Sequence, residues 1–171
     1  MCRRACACLL LLSAVRPFPS HGQAKPVDAC AVLTEQAVEA VTGDDVNSGR
    51  ARTKPWLDAY VNYQCDYRGT GGWRVQLNIE RGRTAQGVQE YLKTLKGVAT
   101  QTTATAPKPV SGLGDEAYWA PIDPASGMLH VRVGTDIVWI HTYGKAPGAG
   151  SLEKTRALME KALEQFAKVK L

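Results

Sequence analysis

Residues 59–80 read AYVNYQCDYRGTGGWRVQLNIE. Val61, Tyr63, Cys65 and Tyr67 fall on one side of an extended run, with Asn62, Gln64, Asp66 and Arg68 on the other. Trp73, Val75, Leu77 and Ile79 alternate in the same way with Arg74, Gln76, Asn78 and Glu80. Strict period two over this length is the mark of a strand with one buried face. Gly69-Thr70-Gly71-Gly72 lies between the runs and tolerates positive φ. The stretch therefore predicts an antiparallel hairpin with Cys65 on its apolar face.

Outward from the hairpin, the pattern changes to helical spacing. Residues 28–33 predict a short helical turn, which could carry Cys30 to Cys65. Thr34 is placed to cap a helix over 35–41, with Leu33, Ala37, Val38 and Val41 on one stripe and Gly43 as its left-handed stop. Residues 44–58 read as a loop, from their Asp-Asp, Asn-Ser-Gly and Lys-Pro punctuation. Thr84 predicts a second capped helix, with Val88, Tyr91, Leu92 and Leu95 on its stripe and Gly97 beyond its end. Residues 99–109, rich in Thr, Ala and Pro, read as a loop. Strands are predicted near 116–120, 128–133 and 137–143, and a last helix capped by Ser151. Consecutive strands joined by turns predict an α+β domain: an antiparallel sheet of about five to six strands packed with three helices.

The N-terminus has a different character. Arg3 and Arg4 precede the apolar run 5–15, and Gly22-Gln23-Ala24 supplies small residues for cleavage. This is the layout of a signal peptide over 1–24, too short for a membrane span, leaving one domain over 25–171. Its removal takes away Cys2, Cys6 and Cys8. Cys30 and Cys65 remain as an even pair in an oxidising compartment, where a disulfide is the expected fate. No cysteine directly follows the apolar run, so a periplasmic or secreted protein without a lipid anchor is expected.

The formal charge of +5 is also local to that segment. Arg3, Arg4 and Arg16 belong to it and no acid does, so 18 basic residues face 16 acidic ones in the remainder. Such balance lacks the basic footprint of a nucleic-acid binder.

No motif converges on catalysis. His130 and His141 lie on strands that should pair, but a slip of one residue would part them across the sheet, and two histidines fall short of a zinc ligand set. Ser151-Leu152-Glu153-Lys154 matches Ser-x-x-Lys without the partner motifs of a serine acyl-enzyme, and helix capping explains Ser151. Gly112-Leu113-Gly114-Asp115-Glu116 lacks the lysine and following helix of a phosphate loop and reads as a tight turn into a strand. Asp44, Asp45, Asp115, Glu116 and Asp123 are not brought together by chain order, so no acid/base dyad, metal or cofactor is expected. The aromatics stand out more. Trp56, Tyr60, Trp119 and Trp139 are the candidate ligand-binding residues, with Trp56 in a polar loop the one most expected to be exposed.

Three stretches carry a family resemblance. They are Asp28-Ala29-Cys30-Ala31-Val32-Leu33-Thr34, then Cys65-Asp66-Tyr67 before a Trp-Arg-Val strand, and Val110-Ser111-Gly112-Leu113-Gly114-Asp115-Glu116-Ala117-Tyr118-Trp119. Together they resemble an uncharacterised family of exported bacterial domains found among actinobacterial lipoproteins and other envelope proteins. The resemblance implies a PsbP/Mog1-like sheet flanked by helices and the Cys30–Cys65 bridge, with no catalytic residues to carry over. The expected function is a non-enzymatic envelope protein that binds a partner protein or small ligand. The competing readings are a carboxylate-dependent hydrolase and an inhibitor or structural accessory subunit.

Overall fold

Side-chain oxygens start the helices. The computed structural model describes residues 26–56, 60–103, 105–145 and 148–169, so the signal segment expected at 1–24 lies outside the described residues. Asp28 accepts from the backbone N–H groups of Cys30 and Ala31 and opens the short helix α1, Ala29–Val32. Thr34 accepts from Ala37 N at 3.3 Å and opens α2, Glu35–Thr42, which stops at Gly43 with φ 76°. Thr84 accepts from Gly87 N at 3.1 Å and opens α3, Ala85–Thr102. Ser151 accepts from Lys154 N at the start of α4, Leu152–Val169. Each hydroxyl or carboxylate satisfies an amide that the first helical turn leaves unpaired.

The strands are β1, Arg50–Trp56; β2, Tyr60–Arg68; β3, Arg74–Arg81; β4, Lys108–Pro109; β5, Glu116–Asp123; β6, Ser126–Val133; and β7, Asp136–Tyr143. They form one antiparallel sheet in the order β1-β2-β3-β7-β6-β5-β4. The α+β class and the antiparallel sheet agree with the expectation. The count does not: seven strands and four helices are present among the described residues.

The two additional strands are both edges. β1 falls in the stretch read as a loop, because Arg50, Arg52 and Lys54 alternate with Ala51, Thr53 and Pro55 and give no apolar period. Charges and a proline are what an edge strand uses to discourage pairing with another chain. β4 is only two residues long. Gly97 also fails to end α3, which continues to Thr102 and buries Ala99. An exposed mid-helix glycine costs about 1 kcal/mol, which the packing of Val88, Leu92 and Ala99 offsets.

One sheet face holds the main core. Tyr63, Cys65 and Tyr67 of β2, Leu77 and Ile79 of β3, Leu129 of β6 and Ile140 of β7 pack with Leu33, Val38, Leu158, Met159 and Phe166 from α1, α2 and α4. Cys30 and Cys65 are bonded, with their Cα atoms 5.2 Å apart. Beside the bond, the Tyr67 hydroxyl donates to the Leu33 carbonyl, so α1 is tied to β2 twice. On the far side, Thr142 and Thr155 hydroxyls lie 2.7 Å apart and join β7 to α4. The opposite face is partly roofed by α3, whose Val88, Leu92 and Ala99 pack on Tyr118, Ala120 and Ile137.

The bridge joins residues 35 positions apart. Opening it by Cys30→Ser with Cys65→Ser should lower the unfolding free energy by about 3.5–4 kcal/mol in a urea titration. Equal midpoints for the variant and the parent would show that the tie is dispensable. Gly49→Ala should also destabilise, because an added Cβ would stand 2.5 Å from Cys65 Sγ and 2.7 Å from the Tyr67 ring. The expected loss is about 1–3 kcal/mol in the same titration.

Candidate functional site

The sheet face under α3 is unlike a core. Register aligns Gln64 of β2, Asn78 of β3, Trp139 of β7, His130 of β6 and Tyr118 of β5 in a single row across five strands. The neighbouring row holds Asn62, Glu80 and Ile137. Asn62, Asn78, Glu80, His130 and Tyr118 are each at most 5% exposed. Five polar side chains are therefore buried together, where each needs partners.

Some of those needs are met. Glu80 Oε1 accepts from Trp139 Nε1 at 3.0 Å and from Asn62 Nδ2 at 3.2 Å, and Tyr91 of α3 also hydrogen-bonds the carboxyl. The His130 ring stacks on Tyr118 at 4.6 Å and faces Trp139 at 5.7 Å. Tyr60 donates to the Gly87 carbonyl and packs 4.6 Å from Tyr91, pinning the start of α3 to β2. Others are not met. Asn62 Oδ1, Asn78 Nδ2, Glu80 Oε2, His130 Nδ1 and the Tyr118 hydroxyl find no hydrogen-bond partner among the described residues.

Burial sets the protonation of this cluster. It raises the Glu80 pKa, against the bonds from Trp139, Tyr91 and Asn62 and the charge of Lys54. It lowers His130 to about 3, with His141 adding to the effect. His141 falls to about 4 through burial, with Arg74 adding and Asp123 opposing. Both imidazoles are neutral at pH 7.

The sequence-predicted aromatics divide between the faces. Tyr60 and Trp139 belong to the α3 side, both half-buried. Trp56 ends β1 opposite Tyr60 in a strand, not a loop, and its side chain lies outside the described residues. Trp119 is in the main core on the other face, beside Leu129 in register and 6% exposed. Trp139 and Trp119 thus cannot line one surface. His130 pairs with Trp139, and His141 with Met128, so the two histidines share the α3 side on a diagonal.

Two further groupings emerge. Ser126 Oγ lies 3.2 Å from His141 Nε2, with Asp123 at the same hairpin end. The geometry resembles a nucleophile and base, but a base with a pKa near 4 has little driving force to take a hydroxyl proton. Asp123 is engaged elsewhere, accepting from Ala125 N at 2.7 Å, and Ser126 is buried. The pair closes the β5–β6 hairpin onto β7. Asp115, in the glycine turn, accepts from Gly134 N at 2.7 Å and Arg132 Nη1 at 3.0 Å, as a structural turn residue would. The Asn62–Glu80–Asn78 cluster escaped sequence reasoning because alternate polar residues read as a solvent face, whereas tertiary packing buries all three.

No family model matches the chain, and no curated protein matches it. Among solved structures, it is similar to the extracellular domain of PknH from Mycobacterium tuberculosis, at a TM-score of 0.49 and 10% identity over 82% of this chain and 99% of that one.

The carboxyl and the imidazoles contribute to stability with opposite signs. A carboxyl with a raised folded pKa favours folding below its unfolded pKa, and that contribution is lost as pH rises. Glu80→Gln keeps the acceptor for Trp139 and removes the buried charge, so it should raise the melting temperature at pH 8 and leave it unchanged near pH 4. A histidine with a depressed folded pKa costs stability as pH falls below about 6.5. His130→Phe with His141→Phe should therefore flatten the decline in unfolding free energy between pH 6.5 and about 4. Parallel pH profiles for variant and parent would contradict these assignments.

Proposed function

We propose that this chain is an exported, non-catalytic module of the bacterial envelope that binds a small ligand or partner protein on the α3 side of its sheet. The observation that carries the reading is the set of unpartnered polar atoms on Asn62, Asn78, Glu80, His130 and Tyr118, gathered on one buried patch. Each costs about 1–3 kcal/mol when left unpaired, and a ligand's hydroxyl, amide or amine groups would recover part of that cost. The reachable side lies along β3 and β7, where Gln76, Trp139 and His141 are half-buried. Trp139 and Tyr60 are the aromatic contacts of this reading, and Trp119 supports the sheet from behind.

Export rests on the N-terminal segment 1–24 and on the Cys30–Cys65 bridge, which belongs to an oxidising compartment. No helix among the described residues is long and apolar enough to cross a membrane. A periplasmic or secreted location, a single domain over 25–171 and the PsbP/Mog1-like form belong to the same proposal.

Asn78→Leu separates binding from folding. Replacing an unpaired buried amide by an apolar group of similar size should leave stability unchanged or higher. The same variant should abolish the melting-temperature rise that a glycan, lipid or envelope-extract panel produces with the parent protein. A loss of more than about 2 kcal/mol in stability would mean the amide is structurally required and would overturn the reading. A panel with no effect on the parent would count equally against it.

The competing reading, a hydrolase, would have to use the Ser126–His141 contact. A fluorophosphonate probe is expected to leave Ser126 unmodified, by mass spectrometry of the intact protein. Stoichiometric labelling would establish the hydrolase instead.

A further inference from the structure

We propose that the α3 side of the sheet receives an acidic polysaccharide, whose carboxylates are held by the arginine corner formed by Arg50, Arg52, Arg68 and Arg74. The proposal rests on the binding reading above and names the ligand chemistry for it. Arg68 and Arg74 stand directly opposite each other across the β2–β3 ladder. Arg50 is opposite Asp66 and Arg52 opposite Gln64 on the adjoining β1. By the alternation of the strands, all four project from the face that carries Gln76 and Tyr143, and all four are exposed.

Edge protection accounts for the charges on β1. It does not account for Arg68 and Arg74, which sit on inner strands. Like charges directly opposite in a ladder destabilise the pair unless an anion lies between them. The local carboxylates do not balance the corner. Asp66 is 3.9 Å from Arg52 Nε and already accepts from Gln64 Nε2 at 2.6 Å, while Asp44 packs against the turn at Gly69 and Gly71. The one ion pair these four guanidinium groups make among the described residues is Arg52 with Asp66, and guanidinium is the side chain that grips a carboxylate through two parallel hydrogen bonds.

The floor beside the arginines selects a sugar over a bare anion. Arg74 lies 5.6 Å over the Tyr143 ring, which packs in turn 3.5 Å from His141, so the guanidinium is held in place at the corner. Gln76, in the next row, offers both a donor and an acceptor to hydroxyl groups. Arginine and amide in adjacent rows match the carboxylate and hydroxyls of a uronic acid unit. Rows on one face repeat at roughly 7 Å along a strand, so successive units can follow β2 and β3.

The test uses the purified chain and a fluorescein-labelled oligogalacturonate, read by fluorescence anisotropy, with a dextran oligomer of matched length as the neutral control. The expected result is binding that weakens as salt rises and is absent for dextran. Arg68→Gln with Arg74→Gln should reduce affinity by about tenfold or more with an unchanged or higher melting temperature. Equal affinity for variant and parent would overturn the proposal. So would arginine-dependent binding of phosphatidylglycerol vesicles or polyglutamate by a protein that ignores oligogalacturonate. Panel ligands lost to Asn78→Leu but indifferent to the arginine pair would sink the acidic-sugar assignment and leave the binding reading standing. Oligogalacturonate binding that needs the arginines but not Asn78 would uphold the assignment and remove the buried cluster from the site.

Discussion

Register in the β2–β3 hairpin is the constraint on which the rest of the molecule depends. Cys65 pairs with Leu77 and Tyr63 with Ile79, so the apolar members of both strands point together toward α1 and α4. A slip of one residue would drive Gln64, Asn78 and Glu80 into that core and expose the apolar set. The disulfide forbids it. Cys65 is bonded to Cys30 on α1, and two residues on, Tyr67 is hydrogen-bonded to Leu33 at the end of that helix. Both attachments are on one side of β2, so they fix the strand's rotation as well as its position. The bridge therefore does more than restrict the unfolded chain, because it specifies which face of the sheet becomes core and which is left for polar work.

Consistency between local pattern and fold is high on that core face and fails on the other. Beneath α3, asparagines, a glutamate and a histidine occupy positions that leucine or valine would fill at lower cost. Proteins that break the rule of satisfied burial in one place commonly do so where they act on something else. The breach here is not diffuse. It follows two adjacent rows of the sheet, from Asn62 and Asn78 to Tyr118, and its charge is suppressed: Glu80 is biased toward its neutral form and His130 is neutral. A cluster tuned in this way is poor at moving protons and well suited to hydrogen bonding.

The hairpin, the capped helices and the three C-terminal strands were legible in the sequence because each carries its period and its punctuation in a few residues. Thr34, Gly43, Thr84 and Ser151 stand where a local reading places them. β1 was not legible, since an edge strand needs only one partner's backbone and its side chains can be arginine and lysine. The end of α3 was missed because tertiary burial of Ala99 outweighs the penalty at Gly97. The candidate site was half legible. The sequence identified Tyr60 and Trp139 but grouped them with Trp119, since strand parity separates Trp139 from Trp119 only once the pairing through β6 is known. The buried polar rows were visible as residues and invisible as a site. Their burial comes from tertiary packing, in which α3, arriving between β3 and β4, brings Tyr91 to Glu80.

That placement of α3 also explains the asymmetry of the polar face. The helix packs on β6 and β7 and reaches β2 through Tyr60 near its own start. Toward β1 and the β2–β3 turn, the same face passes from buried amides to half-buried Gln76 and Tyr143 and then to exposed arginines. Polarity and exposure rise together along one direction, from neutral and dry to cationic and wet. A ligand with a charged end and a hydroxylated body would follow that gradient, with its anionic group kept in the solvated corner where guanidinium needs no desolvation. Its uncharged part would enter beneath Trp139, where a buried charge would be costly. The ordering of the side chains thus favours one orientation of approach, which a uniformly basic or uniformly apolar surface could not impose.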